Sequence, residues 1–410
     1  MSQATLSPTV DPSARLGSLD AYRGFVMICL AANGFGIAKT ADNFPDSSLW
    51  QSLKFQFDHV PWVGCAFWDL IQPSFMFMVG VALPYSYAKR EAAGKSFQRM
   101  LGHAVVRSLV LILLGLFLST GSRHTMTNFT FVNVLTQIGL GYTFLFLLWR
   151  RSTVTQLSAL IAILVGYWAW FAMTPVVGSD FDFTKAGVSA DWAFLTGFES
   201  HWQKNANPAA TFDLWFLNLF PRPEPTYFIF PRPELFTFNE GGYQTLNFIP
   251  SLGTMLLGLM TGEFIRRSRG HAKTFFALTA AGFVCLGAGW SLNEFGICPA
   301  IKRIWTPSWT LYSTGWTLLM LAGFYGVIDG LGVKAWSWPL KVAGMNSIAL
   351  YVMSQLLKNW TGDSLQRHFG AGLFNLLGEA YTPLLRANLI LFCFWLFVWW
   401  LYRQRIFFRI

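Results

Sequence analysis

Apolar residues occur along this chain in long runs separated by short polar connections. The hydrocarbon core of a bilayer is about 30 Å thick and takes roughly 20 apolar residues in a helix. Ten runs approach that length. They cover residues 19–38, 62–88, 103–121, 131–149, 154–172, 248–265, 275–292, 309–328, 338–357 and 384–402. The pattern predicts an all-α, polytopic integral membrane bundle of about ten transmembrane helices.

Lysine and arginine are concentrated in alternate connections, beginning with the segment before the first run and ending with the C-terminal segment. Because cytoplasmic loops retain these residues, both termini are expected in the cytoplasm. Residues 173–247, between spans five and six, form a long connection rich in aromatic residues. We expect it to be an extracytoplasmic cap within a single membrane domain, residues 1–410.

Composition narrows the class of protein further. Apolar residues make up 53% of the 410 residues and charged residues only 12%, which disfavours a soluble enzyme. The net charge of +10 is spread between the apolar runs, so no nucleic-acid partner is expected. The five cysteines are far apart, and neither they nor the histidines show metal-ligand spacing, so we expect no disulfide and no metal.

Two polar residues are predicted to meet near the outer membrane face. Asn33 lies about 21 Å along the first span at helical rise, and His59 stands just before the second span. Consecutive antiparallel helices would bring them together. An imidazole can accept a proton or be acylated, and an amide can hold a developing oxyanion. The alternative is an interfacial histidine that bonds to Asp58.

The second span carries Asp69 and Gln72 three residues apart, with Pro73 directly after them. Because proline disrupts the bond to the preceding turn, we expect a kink there, with both polar side chains beside it. They could line a water-filled path or form a hydrogen bond between helices. Asp69 is also a candidate to support His59.

Candidates for an anionic cofactor are the basic pairs at the ends of spans four and six and an asparagine in span nine: Arg150, Arg151, Arg266, Arg267 and Asn346. The preference for basic residues in cytoplasmic loops explains the arginines equally well, and asparagine is common at helix contacts. No GxxxxGK[ST] glycine loop is present, which disfavours ATP-driven transport.

Several segments resemble one family in order and spacing. They are RLGSLDAYRG (15–24), NG (33–34), HVPWVG (59–64), DLIQPSFMFMVG (69–80), NVLTQIGLGY (133–142), KRIWTPSW (302–309) and GMNS (344–347). Together they resemble the heparan-alpha-glucosaminide N-acetyltransferase family and its bacterial relatives. The resemblance covers most of the chain except residues 173–240.

The resemblance implies a membrane acyltransferase that moves an acetyl group from cytoplasmic acetyl-CoA to an amino sugar or glycan on the far side. It implies that His59 is the catalytic histidine, as base or transient acyl carrier, and that Asn33 assists it. Since the outer connection looks different, heparan itself is not implied. Trp62, Gln72, Gln244 and Trp305 are the candidate substrate contacts.

Two other interpretations remain open: a transporter or flippase of a polar or lipid-linked solute, and a non-catalytic relative that serves as a membrane partner. Catalysis requires His59 and Asn33 at a shared pocket, whereas transport requires paths that open alternately to both sides. The expected location is a bacterial inner membrane, with lipid contacts and a possible homodimer.

Overall fold

The computed structural model describes residues 16–121, 126–221 and 235–408. In these ranges the chain is helical, and its one β pairing is an isolated bridge between Val63 and Ile301. The predicted all-α class is therefore confirmed. Arg15, from the first motif, and residues 222–234 of the predicted cap lie outside the described residues.

The α-helices follow one another with short connections in most places. In chain order they are α1 (Gly17–Ala31), α2 (Ile37–Ala41), α3 (Ser48–Phe57), α4 (Ile71–Ala92), α5 (Phe97–Ser119), α6 (Val134–Leu148), α7 (Thr153–Met173), α8 (Pro208–Phe216), α9 (Phe248–Arg267), α10 (His271–Glu294), α11 (Pro307–Tyr325), α12 (Trp338–Met345), α13 (Ser347–Leu356), α14 (Lys358–Phe369) and α15 (Thr382–Arg403).

Seven helical segments in the described ranges are long and apolar enough to cross a bilayer, which makes this an integral membrane protein. They contain α4, α5, α7, α9, α10, α11 and α15. The pair Gly17–Ala31 and Gly34–Ala41, bent by 50°, is an eighth candidate. The two remaining predicted spans coincide with shorter apolar helices, α6 with 15 residues and α13 with 10. At 1.5 Å per residue these two are shorter than the hydrocarbon core, so ten spans are not confirmed.

Close helix contacts are made through glycines. A Cβ on Gly80 of α4 would collide with the carbonyl of Met255 on α9, and a Cβ on Gly258 of α9 would collide with that of Phe77. Small residues let backbones approach in this way inside membranes. The α4 and α9 segments are accordingly central. In the most apolar 18-residue stretch of each, 67% is buried, against 17% in α10.

A sharp break follows α1. Four successive residues, Asn33 to Gly36, have positive φ angles of 50°, 62°, 57° and 72°. Left-handed backbone cannot continue a right-handed helix, so the chain turns before α2 begins. At Gly36 the missing side chain also makes room for the carbonyl of Pro383 at the start of α15.

Pro73 does not interrupt a helix, contrary to the predicted kink. A 3-10 turn spans Phe67–Leu70, and α4 begins at Ile71, so Pro73 falls in the first turn of α4. A missing N–H costs nothing at that position, because the first amides of a helix have no partner within it. Asp69 consequently lies before α4 and not within it.

The described part of the connection between α7 and α9, here called the cap as in the prediction, makes specific contacts with the rest of the protein. It contains a 3-10 turn at Gly197–Trp202, followed by α8. Trp202 is fully buried, and its carbonyl accepts a hydrogen bond from Trp62 Nε1 at 3.0 Å. Asp213 on α8 accepts the Thr245 N–H at 2.9 Å, and burial raises the pKa of this carboxyl to about 7.

Candidate active site

The loop that carries His59 is organised by one carboxylate. Asp69 Oδ2 accepts the backbone N–H groups of Val60 and Ala66, each at 3.2 Å. These two bonds hold the 3-10 turn that contains Asp69 against the loop between α3 and α4. Since Asp69 is 1% exposed, these bonds satisfy one of its oxygens and leave Oδ1 for side-chain partners.

Three ionisable side chains meet at Asp69 Oδ1. His59 Nδ1 lies 2.7 Å from it and Lys302 Nζ lies 3.1 Å from it. Lys302 Nζ is also 3.2 Å from His59 Nδ1. The lysine and aspartate side chains are 5% and 1% exposed, whereas the histidine side chain is 36% exposed. The buried ion pair thus supports a histidine that ligands can reach.

This geometry assigns the histidine tautomer. A contact of 2.7 Å between Nδ1 and a carboxylate oxygen requires a proton on Nδ1. In the neutral imidazole, His59 Nε2 then carries the lone pair and can accept a proton. Because the charges of Asp69 and Lys302 cancel, the three groups are neutral together before that transfer and carry one positive charge after it.

Lys302 comes from the connection between α10 and α11, where Thr306 fixes the turn. The Thr306 hydroxyl accepts the Ile301 N–H at 3.0 Å, and Trp305 adopts a positive φ of 48°. The neighbouring Arg303 donates to the Gly241 carbonyl at 2.7 Å, and its guanidinium stacks on the Tyr243 ring at 5.6 Å. Two consecutive basic residues therefore join the His59 loop to the cap.

A cavity of about 220 Å³ opens beside His59. Its polar lining residues come from distant parts of the sequence and are His59, Gln72, Tyr243, Lys302, Tyr351 and Gln355. Leu30, Trp68, Ile71, Phe75 and Val134 form its apolar wall. An apolar cleft with a few convergent polar groups and an ionisable cluster is typical of a binding or active site.

The structure brings together His59, Asp69 and Gln72 among the predicted site residues. Asn33 is exposed in the break after α1 and is not among the residues that line the cavity. It is adjacent to Gly34, where a Cβ would lie 3.2 Å from Phe57 and 3.6 Å from Trp68. Gly34, the residue after Asn33, thus packs near the rings of Phe57 and Trp68.

Three of the four predicted substrate contacts are buried away from the cavity. Trp62, Gln244 and Trp305 are 4%, 1% and 1% exposed. Trp62 bonds to the Trp202 carbonyl, and Trp305 Nε1 donates to the Thr254 hydroxyl at 3.3 Å. Trp62 thereby links the bundle to the connection between α7 and α9, and Gln72 alone of the four lines the cavity.

The predicted cofactor contacts have protein partners. Arg150 pairs with Glu91 at 2.6 Å, and Arg267 pairs with Glu263 at 3.6 Å. Arg266 donates to the Pro84 carbonyl, and the exposed Arg151 donates to the Leu147 carbonyl.

Asn346, the remaining predicted cofactor contact, is completely buried. Its side chain bonds to the backbone of Ile406 at 3.0 Å and of Phe408 at 3.1 Å. It fastens the C-terminal segment and has no exposed surface for a cofactor.

Four cavity residues were missed from the sequence: Lys302, Tyr243, Tyr351 and Gln355. A usable signal existed for the lysine. Lys302 and Arg303 fall in a connection that the predicted topology puts on the outer side, where basic residues are disfavoured. As for metals, no group of three or more His, Cys, Asp or Glu side chains in the described ranges is placed to hold an ion.

Comparison with known proteins gives two relatives of the same name. Heparan-alpha-glucosaminide N-acetyltransferase from Mus musculus is 24% identical over 381 residues, covering 84% of this chain and 54% of the relative. The protein of that name from Homo sapiens is 23% identical over 432 aligned positions, covering 97% and 60%. This chain is a distant relative of heparan-alpha-glucosaminide N-acetyltransferase. It spans a little over half the length of either relative. No family model matches the chain.

Proposed function

We propose that this chain is a membrane acetyltransferase that transfers an acetyl group from acetyl-CoA to an amino sugar or glycan. The observation that carries the proposal is the contact of His59 with the buried Asp69–Lys302 pair at the edge of a cavity. The distant relatives, which are named N-acetyltransferases, support the class of reaction.

In the direct route, the lone pair of the acceptor nitrogen attacks the thioester carbonyl carbon while His59 Nε2 takes the nitrogen's proton. The carbon–sulfur bond breaks as the tetrahedral intermediate collapses, and the CoA thiolate leaves and is protonated. In the two-step route, Nε2 itself attacks the thioester and the CoA thiolate leaves. The acceptor nitrogen then attacks the acyl-imidazole, the C–Nε2 bond breaks, and the nitrogen's proton passes to Nε2. The Nδ1–Asp69 bond holds the ring in the required tautomer in both routes.

Lys302 has two roles in this proposal. Its ammonium neutralises Asp69, and it lines the cavity, where a positive charge stabilises the oxyanion of the tetrahedral intermediate. The sequence assigned that second role to Asn33, whose contribution remains a prediction. A single Asn33→Ala variant separates the two assignments, because it leaves Lys302 in place.

Acceptor recognition is proposed for the tyrosine and amide groups that face His59 across the cavity. Tyr243 comes from the cap, and Tyr351 and Gln355 come from α13. Aromatic faces with nearby amide and hydroxyl groups suit sugars, which present both C–H surfaces and hydroxyls. The Tyr351 hydroxyl is fixed by its contact with Asn133 Nδ2 at 3.2 Å.

We further propose the membrane arrangement that the sequence predicts: one membrane domain, ten crossings, cytoplasmic termini, and His59 at the outer face. The bent α1–α2 pair, α6, and the interrupted α12–α13 pair would supply the three crossings beyond the seven long helices. Acetyl-CoA from the cytoplasm would then have to reach His59 through a passage between helices. A bacterial inner membrane and a homodimer remain predictions.

The test is an acetyl-transfer assay on the full-length protein in detergent with radiolabelled acetyl-CoA, scoring CoA release, transfer to amino-sugar acceptors and protein-bound label. His59→Ala should abolish turnover, and covalent label that also disappears would select the two-step route. His368→Ala is the matched control, since His368 is exposed on α14.

Equal turnover in the wild type and His59→Ala would overturn the proposal. Folded protein that binds no acetyl-CoA at all would instead direct attention to the transporter interpretation.

A further inference from the structure

A cluster of basic side chains lies at the end of α4 farthest from His59. Arg90 is in the last turn of α4, and His103 and Arg107 are one turn apart on α5. The 20 residues from Ile71 to Arg90 span about 30 Å along α4. The cluster is therefore separated from the His59 cavity by roughly the thickness of a hydrocarbon core.

The cluster is held together by specific contacts. Arg90 Nη2 lies 2.8 Å from His103 Nε2, and the Tyr87 hydroxyl lies 3.3 Å from His103 Nδ1. The guanidinium of Arg107 stacks on the Tyr142 ring at 4.6 Å. Because Arg90 donates to Nε2, His103 carries its proton on Nδ1 and is neutral, so the charge of the cluster is that of the two arginines.

These arginines lack the carboxylates that neutralise others at the same end of the bundle. Among the described residues, neither Arg90 nor Arg107 forms an ion pair with Asp or Glu, although Glu91 follows Arg90 directly and pairs with Arg150. Arg107 Nε is buried and has no hydrogen-bond partner in the described structure. Both arginines act electrostatically on Tyr87 and His103, so they share one local environment.

Two guanidinium groups in a partly buried site repel each other, and a bound anion would offset that repulsion and satisfy the free Nε–H. Guanidinium forks match the tetrahedral oxygens of phosphate. Cytoplasmic retention explains why arginines occur at this end, but it does not explain why these two lie together, partly buried, without a carboxylate.

We infer that Arg90 and Arg107, with His103 and Tyr87 between them, form a binding site for a phosphate group. The group has two chemical sources: the phosphates of CoA or the headgroup of an anionic phospholipid. The first source rests on the proposed function and the second does not. The site also replaces Arg150 and Arg267, which already have carboxylate partners, as the candidate phosphate contact.

The test uses binding, so it does not depend on turnover. Wild type, Arg90→Gln, Arg107→Gln and the control Lys95→Gln are reconstituted as full-length protein in phosphatidylcholine nanodiscs and titrated with CoA, which carries no acetyl group. Lys95 is exposed in the connection between α4 and α5, so its variant removes the same charge nearby. In parallel, native mass spectrometry scores the phosphatidylglycerol retained from mixed nanodiscs.

If CoA supplies the phosphate, its affinity falls about tenfold in both arginine variants and stays unchanged in Lys95→Gln. If a lipid supplies it, CoA affinity is unchanged and the arginine variants lose the retained phosphatidylglycerol. Equal CoA affinity and equal lipid retention in all four proteins would overturn the inference.

Arg107→Lys is included in case Arg107→Gln does not fold. It keeps the charge but loses the planar fork, and an intermediate loss of the same ligand is expected. His59→Ala should bind CoA as the wild type does. A variant that loses turnover but still binds CoA therefore tests the acetyl-transfer proposal alone, and a variant that loses CoA or lipid binding tests the phosphate site.

Discussion

Lys302 Nζ lies 3.1 Å from Asp69 Oδ1, although the two residues are 233 positions apart in the sequence. Both side chains are almost completely buried, at 5% and 1% exposure. Such a pair costs free energy to desolvate, and removing one partner leaves a buried charge without compensation. The ion pair contacts the partly exposed His59 and therefore supports the side chain that is proposed as the base.

Lys302→Met is expected to lower the free energy of unfolding by about 3–5 kcal/mol, because Asp69 would be left unpaired. The double variant Lys302→Met with Asp69→Asn removes both charges and should recover much of that loss. Thermal unfolding in one detergent, compared across the two single variants and the double variant, measures the coupling. Additive losses would show that the two charges do not interact.

Asp69→Asn is expected to lower kcat by about 10²–10⁴-fold with little change in the KM for acetyl-CoA, because the imidazole loses its preferred tautomer. The matched control is Asp58→Asn. Asp58 is exposed and accepts the backbone N–H of His59, which an amide oxygen can also do. Steady-state kinetics of the two variants provide the comparison, and equal effects would argue against the assigned tautomer.

Tyr243→Ala is expected to raise the KM for the acceptor roughly three- to tenfold, since a stacking face would be lost from the cavity. Tyr243→Phe keeps the ring and should resemble the wild type. The affinity for CoA, measured separately, should be the same in all three proteins. A change confined to the CoA affinity would place Tyr243 on the donor side instead.

Asp213 should make the protein less stable as the pH rises, the opposite of the effect of a carboxylate held in an ion pair. Its pKa is about 7 in the fold, against about 3.9 in an unfolded chain, so the folded state holds the proton more tightly. The stabilisation of the folded state by the protonated Asp213 carboxyl is fully present below about pH 4 and is lost as the pH rises through about 7.

Asp213→Asn cannot titrate and keeps an oxygen for the Thr245 N–H. We expect melting curves of this variant to change less between about pH 5 and pH 8 than those of the wild type, which should lose up to about 3 kcal/mol over that range. Asp180→Asn, an exposed acidic residue in the same connection, is the control. A steeper pH dependence in Asp213→Asn than in the wild type would refute the assignment.

Gly24→Ala should destabilise the protein by about 1–3 kcal/mol, because the added methyl would collide with the Leu340 carbonyl of α12. Gly102→Ala on α5 is the control, since among the described residues no atom outside its own stretch of helix lies within 4 Å of a Cβ there. Thermal unfolding of both variants tests whether the approach of α1 to α12 is as close as described.

Hydrophobic runs were sufficient to predict the helices but not their lengths. All ten predicted spans coincide with helices or helix pairs. A long apolar segment in a bilayer must satisfy its own backbone hydrogen bonds, so apolar composition alone predicts a helix. The breaks depend on backbone conformations that composition does not reveal, such as the left-handed turn that begins at Asn33. Pro73 was misjudged for a related reason: the preceding 3-10 turn, which fixes where α4 begins, leaves no signal in hydropathy.

At the site, sequence reasoning found residues that are near each other in the chain. His59 and Asp69 lie only ten positions apart, on either side of one turn, and meet there. Lys302 could not be reached in this way, because only the packing of the α10–α11 connection against the His59 loop brings it there. Trp62 and Trp305 are buried, and a buried aromatic residue looks the same in sequence as one that binds a sugar, so their role as substrate contacts stays a prediction.

Lys302 and Arg303 are consecutive, yet the first contacts Asp69 and the second contacts the cap at Gly241. Insertion or deletion of a single residue before them would therefore remove both contacts at once. The number of residues between α10 and this dipeptide is therefore fixed from two sides, by the His59 loop and by the cap.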